Sequence, residues 1–236
     1  MMDSKQTRQP RQQRGHERRQ AVLEGAARVF DRVGFAQASL NDIAEASGAT
    51  AGSMYFYFPS KEDIALAIIA EQNARTFDAM SAAPSESGSF AGLIAASQAV
   101  ADLLLTDSVV RAGIRLSLEQ GTMSVPTSEF YVEWMSAVET RFAVALDEGE
   151  ISSDLPASAL ARTLVPYFTG VHVVANVLNG RADLYQVLSD MWRVLVAALV
   201  PDQRRSAYVE IVAQTFGGPQ SSAEVRSASE ALTSIP

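Results

Sequence analysis

Apolar residues recur at helical spacing along most of this chain, and no stretch of useful length alternates apolar and polar residues as a strand would. Val22, Leu23, Ala26, Ala27, Val29 and Phe30 share one face of a helix predicted over 18–33, and Gly34 follows as its stop. A second helix starts after Ser39, which with Asp42 fits a capping box; Leu40, Ile43 and Ala44 face inward. Gly48 permits the positive φ of a sharp turn, and Thr50 caps a third helix running to about Tyr55. Pro59 breaks the pattern, and Ser60 caps a long helix over 60–80 with Glu62 and Asp63 in its first turn. A Ser/Pro/Gly-rich linker over 82–89 precedes helices predicted at 90–105, 109–119, 129–147, 157–178, 184–200 and 203–215. The fold class is therefore all-α: an N-terminal three-helix helix-turn-helix domain and a larger helical bundle for ligand binding and dimerisation. The expected boundaries are a flexible basic arm at 1–17, the DNA-binding domain at 18–62, the bundle at 63–215 and a disordered Gly/Ser/Ala/Pro-rich tail at 216–236.

Two short helices around a glycine turn, closed by aromatic residues and a lysine, present one helix to a DNA groove about 12 Å wide. Small residues on the outer face of that helix, Ala51, Gly52 and Ser53, let the backbone approach phosphate, where free N–H groups and the helix dipole attract anions. Tyr55 and Tyr57 can bury their rings and point hydroxyls at phosphate oxygens. Phe56 and Phe58 are expected to pack against Phe30, Phe35 and Ile43. Lys61 is expected to reach the DNA backbone, and Thr50 and Ser39 to contact phosphate beside their capping work. In the arm, Lys5, Arg8, Arg11 and Arg14 are spaced three apart; the arm is either a solvated tail or a DNA contact through residues such as Arg14.

Charge supports this assignment once its distribution is read. The 236-residue chain carries a net charge of −8, yet up to Lys61 it has nine Lys/Arg against six Asp/Glu. A basic end on an acidic body confines phosphate attraction to one region.

The density of the motif makes a family resemblance plain. Gly34, Ile43, Ala44, Gly48, Gly52, Tyr55, Tyr57, Phe58, Lys61 and Glu62 resemble the DNA-binding signature of TetR-family regulators. Within that family the chain is similar to the γ-butyrolactone receptors of actinobacteria, through Ser60–Gln72, Val109–Leu116, Phe130–Trp134 and Arg162–Val165. The resemblance implies a homodimeric repressor on a palindromic operator, released by a small-molecule effector. It also implies that Trp134 lines the ligand pocket. One departure is Ala51, at a position often occupied by lysine in such receptors.

The bundle should hold a mostly apolar cavity with a few polar groups. The indole of Trp134 offers a flat wall and one N–H donor. Gln72, Phe130, Val138, Phe168, Thr169 and His172 are the further candidate liners, with Tyr167 assigned to the core. Pro166 inside a helix predicts a kink, which either opens the pocket or is a tolerated packing feature. Arg111 and Arg115, one turn apart, read as a solvated or salt-bridged face. Val171, Val174, Ala175 and Leu178, with Leu188, Met191, Trp192, Leu195 and Leu199, are expected to overfill a monomer and to build a four-helix dimer interface; Trp192 fits either interface or core.

Other classes fit less well. The chain has no cysteine and two histidines, so disulfides and thiolate metal sites are excluded. No metal-spaced cluster or phosphate-binding glycine loop appears, and neither catalysis nor a cofactor is expected. No secretory signal is visible, and the runs Leu195–Val200 and Leu164–Leu178 are too short or too polar to span a bilayer; a cytoplasmic protein without membrane contact is expected. A ligand-independent repressor, or a pseudo-receptor answering to another small molecule such as an antibiotic, remains the alternative. Such pseudo-receptors tend to be basic, whereas this chain has a pI of about 4.8.

Overall fold

The computed structural model describes residues 8–84, 87–119 and 128–217. The described residues form ten helices and no strand: α1 (Arg8–Gln37), α2 (Leu40–Ser47), α3 (Ala51–Tyr57), α4 (Lys61–Ala82), α5 (Ser89–Thr106), α6 (Ser108–Leu118), α7 (Glu129–Asp147), α8 (Ala157–Asn179), α9 (Leu184–Leu199) and α10 (Asp202–Phe216). The helix pattern read from the sequence holds throughout this set. The chain divides into two compact units, Met1–Phe77 with Thr106–Thr127 and Asp78–Leu105 with Ser128–Pro236.

In the first unit, α1 to α4 close on a core of Val22, Leu23, Ala26, Phe30, Ile43, Met54, Phe58, Ile64 and Ile68. Val109, Ala112 and Leu116 of α6 complete it, so α6 packs on α1 although it follows some seventy residues later. Polar contacts fasten the two helices. Arg111 Nε lies 2.7 Å from Asp31 Oδ2, Arg115 Nη1 donates to the Asp31 carbonyl at 2.8 Å, and Phe35 N donates to Glu119 Oε2 at 3.0 Å. Arg111 and Arg115 are thus salt-bridged, the bland reading of their spacing. Gly34 breaks α1 with φ 75°, and a Cβ there would stand 2.5 Å from Glu119 Oε1.

One expectation fails at the N-terminus. Residues 8–16 belong to α1 and do not form an unpatterned arm. Arginine and glutamine are good helix formers, and Pro10 falls in the first turn, where its missing N–H is not needed. Lys5 and the tail beyond 217 lie outside the described residues.

The second unit is built around α5, buried along most of its length at Phe90, Leu93, Ile94, Val100 and Leu104. Ser89–Thr106 has the length and apolarity of a membrane span, a feature absent from the runs weighed above. Its burial inside this unit accounts for that apolarity. Glu150, itself buried, accepts hydrogen bonds from Ser89 N at 2.7 Å and Phe90 N at 3.0 Å, the orphan donors at the start of α5, and from Tyr208 Oη at 2.6 Å. Those bonds outweigh burial and hold its carboxyl below the usual carboxylate range, while Tyr208 is pushed up. Trp192 is fully buried, with Nε1 donating to Ser97 Oγ at 2.7 Å and its ring 5.6 Å from Phe90.

Candidate nucleic-acid interface and ligand site

Local capping sets the helix-turn-helix. Ser39 Oγ accepts from Asp42 N at 3.1 Å while Asp42 Oδ2 accepts from Ser39 N at 3.2 Å, the reciprocal box expected. Gly48 ends α2 with φ 66°, a conformation costly for a residue with a Cβ. Thr50 Oγ1 accepts from Ser53 N at 3.2 Å and fixes the start of α3. Arg28 Nη2 donates to the Ala46 carbonyl at 2.7 Å and pins the end of α2 to α1. Ser60 repeats the capping arrangement at α4, accepting from Asp63 N at 3.1 Å.

On this scaffold α3 buries Met54 and exposes Ala51, Gly52, Tyr55 and Phe56. Thr50 and Ser39 are exposed beside it, Ser53 and Tyr57 are half-buried, and Arg14 is exposed on α1. Phe56 is the chief correction. It was expected in the core with Phe58, yet it is 81% exposed while Phe58 is buried. Met54 and Phe58 are four apart and share the inner face of the helix; Phe56, two from each, must point away. Its ring meets Tyr57 edge-on at 5.1 Å, and Tyr55 is 51% exposed.

Lys61 is a second correction. Its Nζ donates to the carbonyls of Phe35 and Ala38 at 2.8 and 2.9 Å and lies 4.4 Å from the centre of the Phe35 ring. The ammonium is therefore spent on the end of α1, where it satisfies open carbonyls. Arg19 sits over the Phe58 ring at 5.0 Å.

Gln72, in the first unit, is 0% exposed, which excludes the surface reading. Its Nε2 donates to Thr76 Oγ1 at 3.1 Å, its Oε1 has no partner, and its Cβ lies 2.4 Å from where a Cβ on Gly113 would stand.

In the second unit α7 and α8 bring the other candidates together. Phe130, Trp134, Val138, Phe168 and His172 are all buried. Trp134 lies 5.7 Å from both Phe130 and Phe168, edge-on to the latter, and His172 lies 5.6 Å from Phe168. Tyr131, missed in the sequence, stacks on the same wall, 6.3 Å from Trp134. Its signal was available: it precedes Trp134 by three, the spacing of helical neighbours. Burial, with a smaller contribution from the charge of Arg181, pushes the His172 imidazole down to about 3, so it is neutral. Its Nδ1 is buried without a partner. Thr169 is half-buried and its hydroxyl donates to the Val165 carbonyl at 2.9 Å.

The outer faces of α8 and α9 revise the interface expectation. Leu188, Met191, Trp192 and Ala175 are buried within the unit and unavailable to a second copy. Two of these helices pack on their own unit, so the apolar residues pointing inward are consumed there. Val174, Val177, Leu178 and Val194 are exposed, with Leu178 at 76%. Tyr167, assigned to the core, is also exposed. With Pro166, Gly170, Val171, Asp183 and Val187, some of these residues line an open apolar groove of about 420 Å³.

Known proteins share both the sequence and the fold. Residues 22–68 match the model for bacterial regulatory proteins of the tetR family, and residues 87–201 match that for the tetracyclin repressor-like C-terminal domain. The A-factor receptor protein of Streptomyces griseus is 31% identical over 76% of this chain, a match spanning 62% of that relative's own length. A solved gamma-butyrolactone receptor, described as ArpA-like, is 27% identical, with TM-score 0.70, over 86% of this chain and 97% of its own. CprB of Streptomyces coelicolor, solved with its biological operator sequence, is 28% identical, with TM-score 0.70, over 85% of this chain and 97% of its own. By its sequence, its helix-turn-helix and its helical C-terminal region, the chain belongs to the TetR family of bacterial DNA-binding regulators and is homologous to the γ-butyrolactone receptors.

Proposed function

We propose that this chain is a homodimeric cytoplasmic repressor that holds a palindromic operator when ligand-free and releases it when a small apolar molecule of the γ-butyrolactone type enters the second unit. The observation that carries the DNA half is the outer face of α3, where Gly52, Tyr55 and Phe56 stand exposed on a helix locked by caps at both ends. Ala51 and Gly52 admit the sugar–phosphate backbone, and Tyr55, Thr50 and Arg14 supply donors to it. The aromatic wall of Trp134, Phe130 and Phe168 supports the ligand half, as do the receptors this chain resembles. The exposed α8–α9 face supports dimerisation: a second copy packed about a two-fold axis would cover Val174, Val177 and Leu178 and give two heads for two half-sites. Helix α4 is continuous across the boundary of the two units, so a ligand that displaces its end alters the spacing of the heads.

A ligand-independent repressor is favoured by one observation: the rings around Trp134 already touch one another, so an entering molecule must part them. Fluorescence anisotropy separates the readings. Labelled DNA from the protein's own promoter region is titrated with protein at two salt concentrations, then with a γ-butyrolactone. Tight, salt-sensitive binding released by the lactone supports the receptor. Specific binding that the lactone leaves intact refutes the lactone and leaves a repressor with another effector or none.

A further inference from the structure

The ligand site just proposed holds a group that its apolar character does not explain. His172 is 2% exposed, sits four residues beyond Phe168 on α8 and leans on its ring, and its Nδ1 has no partner. Trp134 leans on the same ring, and its indole N–H makes no hydrogen bond to another described residue. Burying a polar ring atom unpaired costs about 1–3 kcal/mol. Leucine or phenylalanine at 172 would fill the same space without that cost. Trp192, the other buried indole of the unit, shows the usual solution, a hydrogen bond to Ser97. Two buried ring nitrogens left open beside one phenylalanine therefore look outward from the protein's own bonding, toward a molecule that is not part of the chain.

Resting on the reading of this cluster as a ligand site, we infer that His172 is a specificity-determining contact and that the effector carries two polar groups: an acceptor for the Trp134 indole and a hydroxyl for His172. The hydroxyl follows from the imidazole. A neutral ring presents either a donor or an acceptor at Nδ1 according to its tautomer. A hydroxyl pairs with both, whereas an ether or a carbonyl pairs only with the donor. Both rings rest on Phe168, so one small ring with a short substituent reaches the two nitrogens. The remainder of the wall, Phe130 and Val138, takes an alkyl chain.

The test uses the full chain and two probes, a 2-alkyl-γ-butyrolactone with a 3-hydroxymethyl group and its analogue with methyl in that place. Affinities are measured by calorimetry for wild type, His172→Phe and His172→Gln. The two histidines of the chain, His16 and His172, are followed by nitrogen NMR after selective labelling. Wild type should bind the hydroxylated probe about tenfold more tightly, the worth of one hydrogen bond. His172→Phe should bind both probes alike, His172→Gln should recover part of the preference, and the His172 Nδ1 resonance should move with the hydroxylated probe only. If both probes bind and His172→Phe keeps the wild-type preference, or the resonance stays still, this inference is overturned and the ligand site stands. If neither probe binds wild type, the lactone reading of the site falls and this inference falls with it. Should His172→Phe fail to fold, the glutamine variant and the resonance decide alone.

Discussion

Acid should unfold the second unit partly through one histidine. His172 titrates near 3 in the folded chain, against a model value of 6.5 when exposed. Its folded value is depressed, so the neutral ring contributes its full stability above pH 6.5. Below 6.5 the unfolded chain binds a proton that the folded chain refuses, and stability falls by about 1.4 kcal/mol per pH unit until the folded value is reached. At pH 4.5 the loss is about 2.7 kcal/mol, and over the whole window it is about 5 kcal/mol. The side chain is 2% exposed, so solvent screens little of this. A typical domain has only about 5–15 kcal/mol to lose.

The assay is urea unfolding followed by the emission of Trp192, which is buried and bonded to Ser97, at pH 7.0 and at pH 4.5. The reference is His172→Phe, whose ring suits the neighbouring Trp134 and Phe168 and carries no proton. Carboxylates such as Glu150, whose stabilisation also fades with acid, titrate in both chains and cancel in the comparison. Wild type should therefore lose about 2.7 kcal/mol more than the variant between the two pH values. If the two chains lose the same amount to within about 0.5 kcal/mol, the imidazole is not held neutral and the argument from its burial is wrong.

Three other outcomes follow from the packing. Phe56→Ala should leave thermal stability within about 0.5 kcal/mol, because the ring is exposed, while weakening operator binding about tenfold in anisotropy titrations; unchanged affinity would remove Phe56 from the interface. Gly113→Ala should destabilise the first unit by about 1–3 kcal/mol in urea, since its Cβ would stand 2.4 Å from that of Gln72; a neutral result would mean that α4 and α6 separate at little cost. Leu178→Asp should yield a folded monomer in sedimentation and lower operator affinity, because the charge falls on an exposed apolar face; a dimer that persists would place the interface elsewhere.

Much of the helix plan was legible because apolar spacing and caps are local. Ser39, Thr50 and Ser60 announce helix starts within three residues of the groups they bond. Long-range choices were not legible. Lys61 selects carbonyls more than twenty residues upstream over solvent, and no local pattern encodes that. Trp192 lies on a helix apolar on most sides, where spacing cannot separate a core face from an interface. The polar turns at 8–16 lack an apolar stripe, so periodicity was silent where helix propensity decided. Phe56 is different: its two-residue offset from Met54 and Phe58 carried the information, and an aromatic cluster drew attention from it. The candidate ligand residues on α7 and α8 came chiefly from the family resemblance, and the structure does assemble Phe130, Trp134, Val138, Phe168 and His172 side by side.

The attachment of α6 to α1 bears on how such regulators can be recombined. A chimera that grafts the first 77 residues onto a foreign effector module would look complete by the family signature, which ends at residue 68. It would nonetheless leave Val22, Ala26 and Phe30 without the cover of Val109, Ala112 and Leu116, and Asp31 without its arginine. The transplantable part is discontinuous in the gene, two segments separated by α5. Any exchange of sensory specificity has to carry both segments or redesign the seam between them.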